Sequence, residues 1–198
     1  MNRVQLVQDP ITTTIYYHDS TNYDDLRFPL QGQRLDTSSG RIDYNYDECT
    51  VDFALNARYP NEPICFVSQM PHAKAISTKV HPHLHWIQEE ANVPNWVMAY
   101  RWYSNNDVVP AVWTLAKYSV NTFTYVAGDL AQITTFPDIN APELEGISSI
   151  LDIKLFRDSA NTSTLFAGAD PYTVVAKAKE FDLHYQINSV GSGEEYTK

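Results

Sequence analysis

Short runs of β-branched and aromatic residues, each cut off by Pro, Asn, Asp or Gly, are what most limits the folds open to this chain. Punctuation of that kind suits strands joined by turns. The runs predict strands near 51–57, 64–69, 76–88, 96–103, 111–119, 130–136, 147–157 and 173–188. Eight such runs point to an all-β fold, a jelly-roll-like β-sandwich. Trp96, Met98, Tyr100 and Trp102 share one parity, so one face of their strand carries a continuous aromatic and thioether stripe. That stripe is read as core. Composition agrees, with thirteen Tyr, four Trp and only 19% charged residues, a balance that favours strands over helical bundles.

At 198 residues the chain fits one domain with projecting ends. Residues 1–48 are polar and interrupted by Asp9-Pro10, Phe28-Pro29 and Ser38-Ser39-Gly40, which reads as an N-terminal arm with short strands. Its Tyr and Asp residues (Tyr16, Tyr17, Tyr23, Asp24, Asp25, Tyr44, Tyr46, Asp47) suit a segment lying across a neighbouring subunit. Residues 49–190 form the expected sandwich, and 191–198 a C-terminal tail. A helical turn is expected over Ala141 to Glu145, with Asn140 as its N-cap. Cys49 and Cys65 lack metal or redox spacing and are expected to be reduced, buried packing residues.

The most pointed motif is Val80-His81-Pro82-His83-Leu84-His85-Trp86, in which an imidazole recurs at every second position. On a strand these rings share a face at a spacing of roughly 7 Å, so two of them can converge on one divalent metal ion. Asp182 and His184 would share a face of a late strand, and a mixed site arises if the two strands are neighbours. The preferred reading is that these groups pack or hydrogen-bond in a sheet face or subunit interface, with no cofactor. Pro82 removes a ladder donor and suggests an edge strand or a bulge. His83-x-His85-x-x-x-Glu89 and His184-x-x-x-Asn188 look like fragments of the two cupin motifs, without the glycines that frame them. No nucleophile elbow, P-loop, zinc-protease or dinucleotide motif occurs, so no enzyme is expected. Trp86, Trp96, Trp102 and Trp113 are candidates for stacking on sugars or for an interface.

The formal net charge of −10, with no basic cluster, argues against a nucleic-acid partner. No apolar segment reaches the length of a signal peptide or a membrane span, so the chain is expected to be made and kept in the cytoplasm.

Three stretches resemble a family of phage proteins encoded among head and tail structural genes. They are Phe66 to His72 leading into His81 to Trp86, then Trp96 to Tyr103, and last Glu180 to Gln186 closing on Val190-Gly191-Ser192. The resemblance implies a jelly-roll virion protein, a head decoration or cement protein that acts as a homotrimer on the major capsid protein or other virion subunits. A receptor-binding or carbohydrate-binding module of a tail or head fibre is the alternative, and a cupin-like metalloenzyme a third reading.

Overall fold

The computed structural model describes residues 22–30, 34–35, 41–121 and 124–187. Among them run twelve strands: β1 (Asn22–Pro29), β2 (Arg34–Leu35), β3 (Ile42–Asn45), β4 (Thr50–Phe53), β5 (Ile64–Gln69), β6 (Val80–Gln88), β7 (Trp96–Tyr103), β8 (Thr114–Lys117), β9 (Val120–Asn121), β10 (Leu130–Thr135), β11 (Ile150–Arg157) and β12 (Ala176–Ile187). The all-β sandwich expected from the sequence is what the chain forms. One sheet runs β3-β4-β12-β6-β10-β9, with β1 also on β12, and the other runs β2-β5-β11-β7-β8. Every strand pair is antiparallel.

Aromatic rings contributed by both sheets fill the space between them. Phe66 of β5 stacks on Phe181 of β12 at 5.2 Å, and Trp96 of β7 meets Phe53 of β4 edge-on at 5.3 Å. Each of these rings is buried. Burying a Phe-sized side chain contributes about 1.5–3 kcal/mol, so this cross-sheet row is a principal source of the sandwich's stability.

Strand β6 alternates without a break. Val80, Pro82, Leu84, Trp86 and Gln88 are buried, while His81, His83, His85 and Ile87 are half-exposed on the outer face. Strand β12 cannot alternate so simply, because its core residues change parity from Ala176 and Ala178 to Phe181, Leu183 and Tyr185. A bulge between Ala178 and Glu180 absorbs the odd residue. Both halves therefore face the core. The same irregularity marks a change of neighbour, since residues 176–178 pair with β4 and residues 180–187 with β1 along one edge of β12.

Several expectations need correction. The boundary placed at residue 48 falls inside the β3–β4 hairpin, where Asn45 pairs with Thr50. Tyr23, Asp24 and Asp25 belong to β1, which lies on the chain's own β12 and not across a neighbour, because Leu26 and Phe28 find their apolar contacts in this sandwich. Tyr44, Tyr46 and Asp47 likewise belong to the hairpin of β3 and its turn. Residues 1–21 of the arm and the tail over 191–198 lie outside the described residues. Pro82 sits on an interior strand, flanked by β12 and β10. It is accommodated because β10 ends at Thr135, and beyond that point Pro82 need only accept a bond from Phe136 N (3.0 Å) before Val80 bridges to Ile139.

The expected helical turn is a single hydrogen-bonded turn, Glu145 N to Pro142 O at 3.1 Å. Glu145 turns inward there to meet the buried Lys74 ammonium at 2.9 Å, a demand that outweighs local helix propensity. Neither cysteine is a buried packing group: Cys49 is exposed in the β3–β4 turn and Cys65 is half-exposed on β5.

Candidate functional site

The conditional reading of the histidine motif turns on whether the two strands are neighbours, and they are. In the β6–β12 ladder His83 lies opposite Asp182, His81 opposite His184 and His85 opposite Glu180. On the far side of β12, Asp25 pairs with His184 and Arg27 with Asp182. On the far side of β6, Thr135 pairs with His83 and Ile133 with His85. Because outward side chains of hydrogen-bonded strands stand in rows, four strands contribute to one patch on the outside of the sheet.

Asp182 is its centre. The side chain is only 5% exposed, and its two oxygens reach different rings. His85 Nε2 lies 3.2 Å from Oδ2, and His83 Nδ1 lies 3.4 Å from Oδ1. His184 Nε2 stands 3.5 Å from Asp182 Oδ2 and 3.0 Å from Asp25 Oδ1. The rings of His83 and His184 meet edge to face at 4.3 Å. The 3.4 Å approach of His83 falls short of a well-aligned hydrogen bond, so Asp182 Oδ1 is a buried acceptor with no donor among the described residues. An orphaned buried polar atom of this kind costs about 1–3 kcal/mol, which makes it a feature needing a cause.

Burial pushes the Asp182 carboxyl up, but the neighbouring His83 and His85 rings together outweigh it and hold the group well below the usual carboxylate range. Reciprocally, the Asp182 hydrogen bond raises the His85 imidazole above its ordinary value, against the opposing effect of its burial. Asp25, Arg27, Ile133, Thr135, Lys179 and Glu180 complete the walls of an open basin of about 590 Å³ around the cluster. One ligand atom from each of His83, Asp182 and His184 lies within 4.8 Å of the other two, so these three are the residues placed to hold an ion.

His81 does not join them. Its Nδ1 bonds Asp138 Oδ1 at 2.6 Å beside the Lys79–Asp138 pair, and the Tyr23 ring stands edge-on to it. Of the cupin-like positions, Glu89 is drawn off to Lys177 (2.5 Å), and Asn188 lies outside the described residues. The histidines face away from the sandwich interior, which is filled by side chains.

Three of the candidate stacking rings are shut in the core. Trp86, Trp96 and Trp102 are at most 8% exposed, and Trp86 and Trp102 donate to Thr134 and Ser149. Their alternation on β6 and β7 points them inward, so no sugar reaches their faces. Trp113 is half-exposed, but Arg101 (4.6 Å) and Lys154 (4.3 Å) already lie over its ring.

Asp25 and Arg27 went unrecognised as site residues because they stand in the polar N-terminal stretch. The available signal was the alternation of Asp25 and Arg27 with the apolar Leu26 and Phe28. No known protein family, curated protein or solved structure matches this chain.

Proposed function

We propose that this chain is a jelly-roll structural component of a bacteriophage particle, a head decoration or cement protein that assembles as a homotrimer on the major capsid protein and catalyses no reaction. The observation that carries the reading is the strand order. Taking β4, β5, β6, β7, β8, β10, β11 and β12 as eight successive strands, one sheet reads first-eighth-third-sixth and the other second-seventh-fourth-fifth. That interleaving is the order produced by two Greek keys wound together, an architecture that recurs in viral capsid domains. Fold alone does not assign function. The His-Pro-His-Leu-His-Trp and Gln-Met-Pro-His stretches, which resemble phage head and tail structural proteins, supply the rest.

Two further features favour a protein that works by contact. Asn22 pairs with Ile187, so the first and last described residues meet at one corner of the sandwich, within reach of a single neighbouring subunit. The basin is an open hollow on an outer sheet face, a shape suited to a surface partner rather than to enclosing a small substrate. Burial of Trp86, Trp96 and Trp102 disfavours the carbohydrate-binding alternative, and the outward histidines disfavour a cupin-like enzyme with an interior site.

Electron cryo-microscopy of mature particles, together with the solution mass of the purified protein, tests the proposal. The expected result is ordered copies on the outside of the shell and a mass of three chains. A monomer missing from mature particles would overturn it.

A further inference from the structure

We propose that His83, Asp182 and His184 hold a divalent transition-metal ion of the zinc class on the outer face of the sheet, with a coordination position open to the basin. The inference is independent of the particle reading and would stand for a protein found on no virion.

The donor set selects the class of ion. Two imidazole nitrogens and one carboxylate oxygen suit zinc and its neighbours, whereas calcium and magnesium require a shell made mostly of oxygen. The spacing also fits. A tetrahedral ion with bonds of about 2.0–2.2 Å holds its ligand atoms roughly 3.4 Å apart. Here His83 Nδ1 lies 3.4 Å from Asp182 Oδ1, and His184 Nε2 lies 3.5 Å from Asp182 Oδ2. One ligand atom from each residue lies within 4.8 Å of the other two, so the set has to draw in by little more than an ångström around an ion. Ring rotation achieves that, since the His184 side chain is 38% exposed and can move without disturbing the core.

Asp182 supplies the independent sign. Its Oδ1 is buried with no hydrogen-bond donor among the described residues, and it lies 3.4 Å from His83 Nδ1. A cation there would satisfy an atom that no hydrogen bond reaches. The surroundings support the same arrangement. His85 donates to the other Asp182 oxygen from 3.2 Å and orients the carboxylate, as outer partners of metal ligands do. Asp25 now contacts His184 Nε2 at 3.0 Å, the nitrogen an ion would take, so on binding it gives up that contact and stands beside the fourth position. Two carboxylates with neutral imidazoles then match the charge of a divalent ion. Because the ligands stand on paired strands, little ordering remains to be done when the ion arrives.

The test uses the full chain purified without a histidine tag and stripped with a chelator, then titrated with Zn²⁺, Co²⁺ and Mg²⁺. Expected are about one Zn²⁺ or Co²⁺ per chain, visible absorption from four-coordinate cobalt, a higher melting temperature with either ion and no response to Mg²⁺. His83→Ala and His184→Ala should each weaken Zn²⁺ binding by at least about tenfold and remove the thermal shift. His81→Ala, whose ring serves Asp138, should change neither. Strand content and ion-free melting are measured first for each variant, and if one ring variant fails to fold, the other decides. Wild-type binding far below one ion per chain, or affinity unchanged in the folded ring variants, would overturn the inference.

Discussion

Two buried charges within the sandwich invite comparison. Arg157, at the end of β11, has no exposed side chain, and each of its guanidinium nitrogens is bonded. Nε meets Asp170 Oδ2 at 2.6 Å, Nη1 donates to Phe53 O and Val174 O at 3.1 and 2.8 Å, and Nη2 donates to Tyr172 O at 2.5 Å. Asp182, on β12, is nearly as deep, yet it retains an oxygen with no hydrogen-bond donor and opens onto a basin. A planar fork whose three nitrogens are all bonded, to one carboxylate and to three carbonyls from two separate chain segments, is a tie that holds loops to a strand. A carboxylate ringed by imidazoles keeps one oxygen that no hydrogen bond completes, the atom the proposed ion would bind. Burial alone does not separate a structural charge from a functional one; completeness of its partners does.

The largest effect should come from breaking the tie. Arg157→Met leaves Asp170 charged and buried and three carbonyls without a donor, and is expected to destabilise the fold by about 3–5 kcal/mol in chemical denaturation. Asp182→Asn, measured in chelator, should lose only about 1 kcal/mol, because one of its oxygens has no hydrogen bond to lose. Equal losses for the two variants would erase the distinction drawn between them.

The smallest effect is a pH dependence on the Asp182 side. Asp182 titrates lower in the folded chain than in the unfolded one, so its contribution is present above the ordinary carboxylate pKa of about 3.9 and is lost as pH falls through the lowered folded value. His85 titrates higher when folded, so its contribution is complete below the ordinary imidazole pKa of about 6.5 and is lost as pH rises through the raised folded value. Both act together between about pH 4 and pH 6.5. The alkaline loss should stay below about 1 kcal/mol, since the His85 side chain is 37% exposed and screened by solvent. Melting in chelator at about pH 5.5 and pH 8.5 should show that loss in the wild type and not in His85→Ala. A wild-type difference that persists unchanged in the variant would place its origin elsewhere.

Local alternation made much of this legible. It put His81, His83 and His85 on one face, paired Asp182 with His184, and marked the Trp96, Met98 and Trp102 stripe as core. What it could not supply is which strands lie side by side. His85 and Asp182 are 97 positions apart, and the sequence around either carries no local trace of the other. The same gap hid the departure of His81 to Asp138 and the part played by Asp25, whose strand was read as an arm. Pro82 misled for a related reason: its missing donor matters only where a neighbouring strand presents an acceptor, and β10 has already ended there.

The pairing of Asn22 with Ile187 also fixes how the molecule would respond to being pulled. Tension entering through the two chain ends would act at a single point and along the ladder bonds between β1 and β12, the geometry of a zipper and not of a lap joint. Such a seam opens one rung at a time from its loaded end. Four rungs in, it reaches Asp25 and His184, so a stretched sandwich would feel the strain at its histidine cluster while the rest of the core stayed closed.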